Sequence, residues 1–136
     1  MAVLARADAA ALQAASEGLL PEYSLLRGPE AGLVMLRGRA GGTGAAFNLG
    51  EASVARCTVR SADGHLGHAY CLGRDLRQAE LAAAIDAAMQ DPARRAQLQD
   101  KVVGPLTTAQ AAERAQTARR AAATQVQFFT MATMRT

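Results

Sequence analysis

The sequence predicts an α+β fold: a roughly four-stranded antiparallel sheet packed with an N-terminal helix and with C-terminal helices, in a single domain over residues 1–136. Three observations point there. Apolar residues recur at helical spacing at the start of the chain, at strand-like spacing from about residue 23 to 72, and at helical spacing again afterwards. An Asp63-Gly64 pair sits between two apolar runs, a strong hairpin signal. Asp75, and Asp91 followed by Pro92, have the chemistry of helix starts.

The elements follow in order. Leu4, Ala11, Leu12, Ala15 and Leu19 share one face of a helix from Ala2 to Gly18, which Gly18 and Pro21 end. Tyr23 to Arg27 is a first strand, Gly28-Pro29-Glu30 a turn, and Gly32 to Arg39 a second strand. Ala40 to Gly50 is a glycine-rich loop. Glu51 to Ser61 is a third strand, Ala62 to His65 a turn, and Leu66 to Leu72 a fourth strand. Asp75 caps a helix from Leu76 to Gln90. A further helix opens at Asp91-Pro92 and ends at Gly104-Pro105. Thr107 or Thr108 caps an alanine-rich helix to about Thr124.

If Asp63-Gly64 is a two-residue loop, Val59 faces His68, Cys57 faces Tyr70 and Arg56 faces Cys71. One face then carries Ala55, Cys57, Val59, Leu66, His68, Tyr70 and Leu72 as a core face. The other carries Val54, Arg56, Thr58, Arg60, Gly67, Ala69 and Cys71. A slip of one residue would exchange the two sets.

Composition narrows the function. Alanine is about a quarter of the 136 residues, well above ordinary usage, and aromatics are only 4%. Alanine buries little area, so the core is thin and a partner surface is a plausible source of further stability. Of fifteen basic residues Lys101 is the only lysine, and the net charge is just +3. That is sparse for nucleic-acid binding, which favours a dense basic stripe with interleaved aromatics. The amphipathic start has no signal-like apolar run, no stretch is long enough to span a membrane, and two cysteines make no disulfide framework. A cytoplasmic chain with free thiols is the expectation.

Several groups are candidates for chemistry. Gly41, Gly42, Thr43 and Gly44 have backbone N–H groups that can cradle phosphate oxygens, but the Gly-Lys-Ser/Thr ending of a P-loop is missing, so a plain loop is the alternative. Arg37 and Arg39 alternate along one strand and, with Arg56 and Arg60, are candidate anion or nucleotide contacts. Solvated or partner-facing charges are equally compatible. Cys57, Cys71, His65 and His68 match no zinc spacing, so no metal is expected. No nucleophile–histidine–carboxylate set is legible. Phe47 in the loop and Phe128, Phe129 and Met131 in the tail are the candidate partner-interface residues, because aromatic residues are scarce in the chain and, with Met, are enriched in interface cores.

The run Arg39-Ala40-Gly41-Gly42-Thr43-Gly44-Ala45-Ala46-Phe47-Asn48-Leu49-Gly50-Glu51 resembles the signature of the PhnG subunit family of the bacterial carbon–phosphorus lyase system. So do Thr58-Val59-Arg60, Asp63-Gly64, Gly67-His68-Ala69-Tyr70, Gly73-Arg74-Asp75, Ala79-Glu80 and the tail Val126 to Met131. Ala46 stands where the family pattern has Pro, and Pro92 to Ala123 carries little that is diagnostic.

The resemblance implies a cytoplasmic complex with PhnI, PhnH and PhnJ, served by PhnK and PhnL. In its first committed step an alkylphosphonate displaces adenine from MgATP, giving a ribose 1-alkylphosphonate 5-triphosphate. The iron–sulfur cluster and S-adenosylmethionine of the later bond cleavage belong to PhnJ, and the displacement is attributed mainly to PhnI. A PhnG-like chain would then be an accessory subunit binding no cofactor alone, with no catalytic residue to carry over. The alternative from the residues themselves is a stand-alone nucleotide- or anion-binding module built on the glycine loop and its arginines.

Overall fold

The computed structural model describes residues 1–41 and 44–126. Asp8, in extended backbone, accepts a hydrogen bond from the Ala11 N–H at 2.7 Å and opens helix α1 (Ala9–Ser16). The long first helix expected from the sequence is therefore two pieces, a 3-10 turn over Leu4–Arg6 and then α1. Asp8 satisfies one of the free N–H groups of α1, that of Ala11, in a conformation that a continuous helix would not allow it.

Three strands follow: β1 (Tyr23–Gly38), β2 (Phe47–Ser61) and β3 (Leu66–Leu72), antiparallel and in the order β1-β2-β3. The expected four strands are thus three. Gly28-Pro29-Glu30 does not reverse the chain; it is absorbed as register shifts within one strand, between Leu25 and Arg27 and between Arg27 and Glu30. Pro29 is tolerated because β1 is an edge strand, where a missing N–H costs no ladder bond on the open side. β2 also begins four residues earlier than Glu51, taking Phe47 to Gly50 out of the loop.

The β2–β3 register differs by one residue from the expected one. Arg56 pairs with Tyr70, Cys57 with Ala69, Thr58 with His68 and Val59 with Gly67. The connection has three residues, not two: the Ser61 N–H donates to the His65 carbonyl, and Gly64 takes a φ of 89°. That is the geometry of a turn followed by a left-handed residue, which glycine accommodates freely. The slip turns over the faces of β3. Gly67, Ala69 and Cys71 join Ala55, Cys57 and Val59 on the core side, while Leu66, His68, Tyr70 and Leu72 face outward. Both cysteines therefore lie on one face, buried and unbridged, where opposite faces were expected.

Helix α2 (Leu76–Ala88) covers that inner face. Asp75 caps it, accepting from the Gln78 N–H. Ala79, Ala82, Ala83, Ala87 and Ala88 are all buried, and their small size brings the helix axis close to the sheet. At Gly67 a Cβ would lie 2.0 Å from the Ala83 carbonyl oxygen and 2.5 Å from the Ala87 nitrogen. Larger groups fill the flanks: Leu4, Leu12, Leu81, Ile85, Leu98 and Val102 are fully buried.

Asp91 caps α3 (Pro92–Leu98), accepting from the Ala93 N–H. Gly104-Pro105 does not end this helix. The chain runs through a π-helical segment, Gln99–Val103, into α4 (Gly104–Ala123). The Gly104 N–H reaches back to the Gln99 carbonyl, and Pro105 falls in the first turn of α4, where its missing donor is harmless. Thr107 and Thr108 are not caps; their hydroxyls donate to the Val103 and Gly104 carbonyls one turn back.

Candidate functional site

The helices sit on one side of the sheet, and β3 is short. It pairs with β2 only from Val54 to Arg60. Beyond that, Gly32–Gly38 of β1 and Phe47–Ser53 of β2 continue as a two-stranded ribbon. Side chains alternate along it. Leu33 and Met35 share a face with their partners Ser53 and Glu51; Val34 and Leu36 share the other with Ala52 and Gly50. Leu49 is the extra residue of a bulge and leans over Gly38, with its Cδ1 2.5 Å from where a Cβ on Gly38 would be.

Leu33 is 65% exposed, Met35 56%, Leu49 56% and Phe47 49%. Single exposed apolar residues are ordinary, but Leu33 and Met35 on one face of the ribbon and Phe47 with Leu49 on the other leave both faces of one short arm apolar, which marks a binding surface. Of the four, only Phe47 was among the sequence candidates. The signal for Leu33 and Met35 was the run Gly32-Leu33-Val34-Met35-Leu36, which is apolar at both parities and so cannot hide all its side chains under one helical layer.

The outer face of the three-stranded part is mixed: Leu66, Tyr70 and Leu72 of β3 are exposed there beside a polar cluster. Arg56 lies at its centre, its Nε 2.6 Å from Glu30 Oε1 and its Nη1 donating to the Tyr70 hydroxyl at 3.1 Å. Arg27 joins the same Glu30 oxygen at 2.7 Å. The hydrogen bond from Arg56, helped by both positive charges, holds the Glu30 carboxyl below the usual carboxylate range. Thr58 Oγ1 lies 3.1 Å from His68 Nδ1 in the neighbouring row.

The four candidate arginines are not gathered into one site. Arg37 pairs across from Asn48 and Arg60 from Ser24, at opposite ends of β2, about 40 Å apart along the strand at roughly 3.3 Å per residue. Arg56 is engaged with Glu30. Arg60 lines a shallow cleft of ≈ 250 Å³ with Glu22, Tyr23, Ser24, Ser61 and Ala62. Arg37 and Arg39 flank the glycine loop at the ribbon's tip, and no ion pair holds either among the described residues. Gly41 and Gly44 have φ of 83° and 113°, in the range that glycine alone adopts freely. Gly42, Thr43, Phe128, Phe129 and Met131 lie outside the described residues.

The cysteines are placed as packing groups. Burial pushes both thiols above their ordinary range, with the Glu80 carboxylate adding to this at Cys57 and Asp75 at Cys71. Among the described residues no three His, Cys, Asp or Glu side chains gather as a metal site. Tyr23, from β1, donates its hydroxyl to Glu80 of α2 at 2.8 Å, and Arg77 meets the same oxygen at 3.1 Å. This trio ties sheet to helix.

The family model described as phosphonate metabolism protein PhnG matches residues 1–134. The chain is 46% identical over 136 residues to the alpha-D-ribose 1-methylphosphonate 5-triphosphate synthase subunit PhnG of Rhizobium meliloti (strain 1021), covering 96% of this chain and 85% of that protein. With the match running through the ribbon, the hairpin and the capped helices alike, the chain belongs to the PhnG family.

Proposed function

We propose that this chain is a subunit of an alpha-D-ribose 1-methylphosphonate 5-triphosphate synthase complex acting in organic phosphonate breakdown, and that it serves as an assembly partner with no complete active site of its own. The observation that carries this is the ribbon, whose Leu33, Met35, Leu36, Phe47 and Leu49 are in solvent in the lone chain. Such a surface costs free energy while exposed and is stabilising once a partner excludes water from it. The name of the Rhizobium meliloti relative supports the same role.

The partners in this proposal are PhnI, PhnH and PhnJ, with PhnK and PhnL, in the cytoplasm. MgATP is the substrate of the whole complex; the iron–sulfur cluster and S-adenosylmethionine belong to PhnJ, and this chain binds no cofactor alone. Among the described residues no helix is long and apolar enough to cross a membrane.

Co-expression of the tagged chain with the other subunits tests the proposal. PhnI is expected to copurify, and adenine release from MgATP with an alkylphosphonate is expected to require this chain. Copurification that never includes PhnI refutes it. Micromolar MgATP binding by the isolated chain that is lost in Arg37→Ala or Arg39→Ala, with PhnI never retained, favours instead a stand-alone nucleotide module.

A further inference from the structure

The two open edges of the sheet are treated differently. On β3 the Ser61–His65 bond sets the phase: Gly67, Ala69 and Cys71 bond to β2, so Leu66, His68, Tyr70 and Leu72 direct their backbone groups outward. Helix α2 and the turn after it guard that edge. Asp86 Oδ2 accepts the His68 N–H at 3.1 Å, and the Gln90 side-chain amide donates to the Leu66 carbonyl. Such guards stop an edge from adding strands.

On β1 the phase follows from β2. The Gly73 N–H donates to the Ser53 carbonyl, so Ser53 and Ala55 face β3, and Ala52 and Val54 face β1. Gly32 and Val34 therefore bond to β2, while Ala31, Leu33 and Met35 present their N–H and C=O to the open edge. Among the described residues nothing bonds to these groups. No charged residue interrupts the run between Glu30 and Arg37, and Pro29 lies before it. The side chains on this edge are apolar and exposed on both faces of the ribbon.

We propose that the open edge of β1 from Ala31 to Met35 is a strand-addition site for an extended segment of a partner subunit, apolar at alternate positions and carrying a carboxylate that comes alongside Arg37 and Arg39. Main-chain pairing would supply the register, the apolar faces the affinity, and Arg37 and Arg39, without an ion pair among the described residues, the direction of the incoming segment. This rests on the subunit role proposed above.

Amide hydrogen exchange at residue resolution tests it, comparing the isolated chain with the complex made by co-expression with PhnI, PhnH and PhnJ. The Ala31, Leu33 and Met35 amides are expected to exchange freely in the isolated chain and to slow by about a hundredfold or more in the complex, while Val34 is protected in both. Leu33→Pro removes an outward donor and is expected to weaken assembly at least about tenfold more than Leu33→Ala, with the isolated chain still folded. If Leu33→Pro also unfolds the isolated chain, the exchange comparison decides alone. A complex that assembles while these three amides stay unprotected overturns strand addition and leaves the subunit role standing; failure to assemble at all strikes the subunit role itself. Protection already present in the isolated chain also overturns the proposal, pointing to the chain's own tail if deletion of residues 127–136 abolishes it, or to a second copy if it grows with concentration.

Discussion

Gly67 shows how much one residue can decide. Its missing Cβ is the reason α2 lies so close to the sheet, because an added methyl would sit 2.0 Å from the Ala83 carbonyl oxygen and 2.8 Å from the Ala87 Cβ. The obstacle is helix backbone, which cannot swing aside as a side chain can. Gly67→Ala is therefore expected to destabilise the isolated chain by about 3 kcal/mol, at the upper end of overpacking costs, measurable as a fall in the urea midpoint with little change in slope. An unchanged midpoint would mean that the helix and sheet are less closely packed than this contact requires. The abundance of alanine gains a physical meaning at the same place. In exposed α4, where no residue is buried, alanine serves only as a helix former, but the alanines of α2 are what the flat sheet face of Gly67, Ala69 and Ala55 can receive.

At the scale of elements, α2 organises the molecule. It covers the sheet, guards the β3 edge and holds the N-terminal segment. The Gln78 side-chain amide, largely buried, donates to the Ala7 carbonyl at 2.7 Å and to the Ala5 carbonyl at 3.2 Å. These carbonyls lie at the joint between the 3-10 turn and α1, where no helical partner is available to them. Gln78→Ala is expected to cost about 2 kcal/mol, because it strands buried acceptors. The loss should appear as faster amide exchange over residues 1–16 ahead of the sheet; uniform loss across the chain would contradict a local staple. Caps at Asp75 and Asp91 were legible in the sequence because capping is local, an oxygen reaching an N–H two or three residues on. The single long β1 was not legible: Gly28-Pro29 has turn chemistry, and only an edge position in a sheet lets it pass as an irregular strand.

For the whole molecule, the relevant quantity is what remains uncovered. The core is built mostly from small groups, and α4 runs 20 residues, roughly 30 Å, without burying one of them. A helix so exposed gains little from its own domain. Assembly is then expected to raise the chain's stability by mass action, since partners bind only the folded form. Phe128 and Phe129, in an otherwise aromatic-poor sequence, are proposed as part of the same interface. Replacing both with Ala is expected to weaken assembly more than about tenfold, with the melting temperature of the isolated chain moving by less than about 2 °C. An equal loss of isolated-chain stability with assembly intact would place them in the chain's own core.

Local patterning was enough for the α+β class, the helix starts at Asp75 and Asp91, the existence of the Asp63-Gly64 hairpin and the family resemblance, since each depends on residues close in sequence. Tertiary structure was needed for the faces. Whether the hairpin loop holds two residues or three shifts every partner in β3, and with a side-chain period of two that single step moves Tyr70 outward and Cys71 inward. It was needed for the sites as well: Arg37 and Arg60 read alike in the sequence, yet the length of β2 holds them far apart. Above all it separated the two edges of the sheet. A guard such as Asp86 on His68 spans 18 residues of sequence, and no pattern along the chain reports which backbone groups such contacts cover and which, from Ala31 to Met35, they leave open.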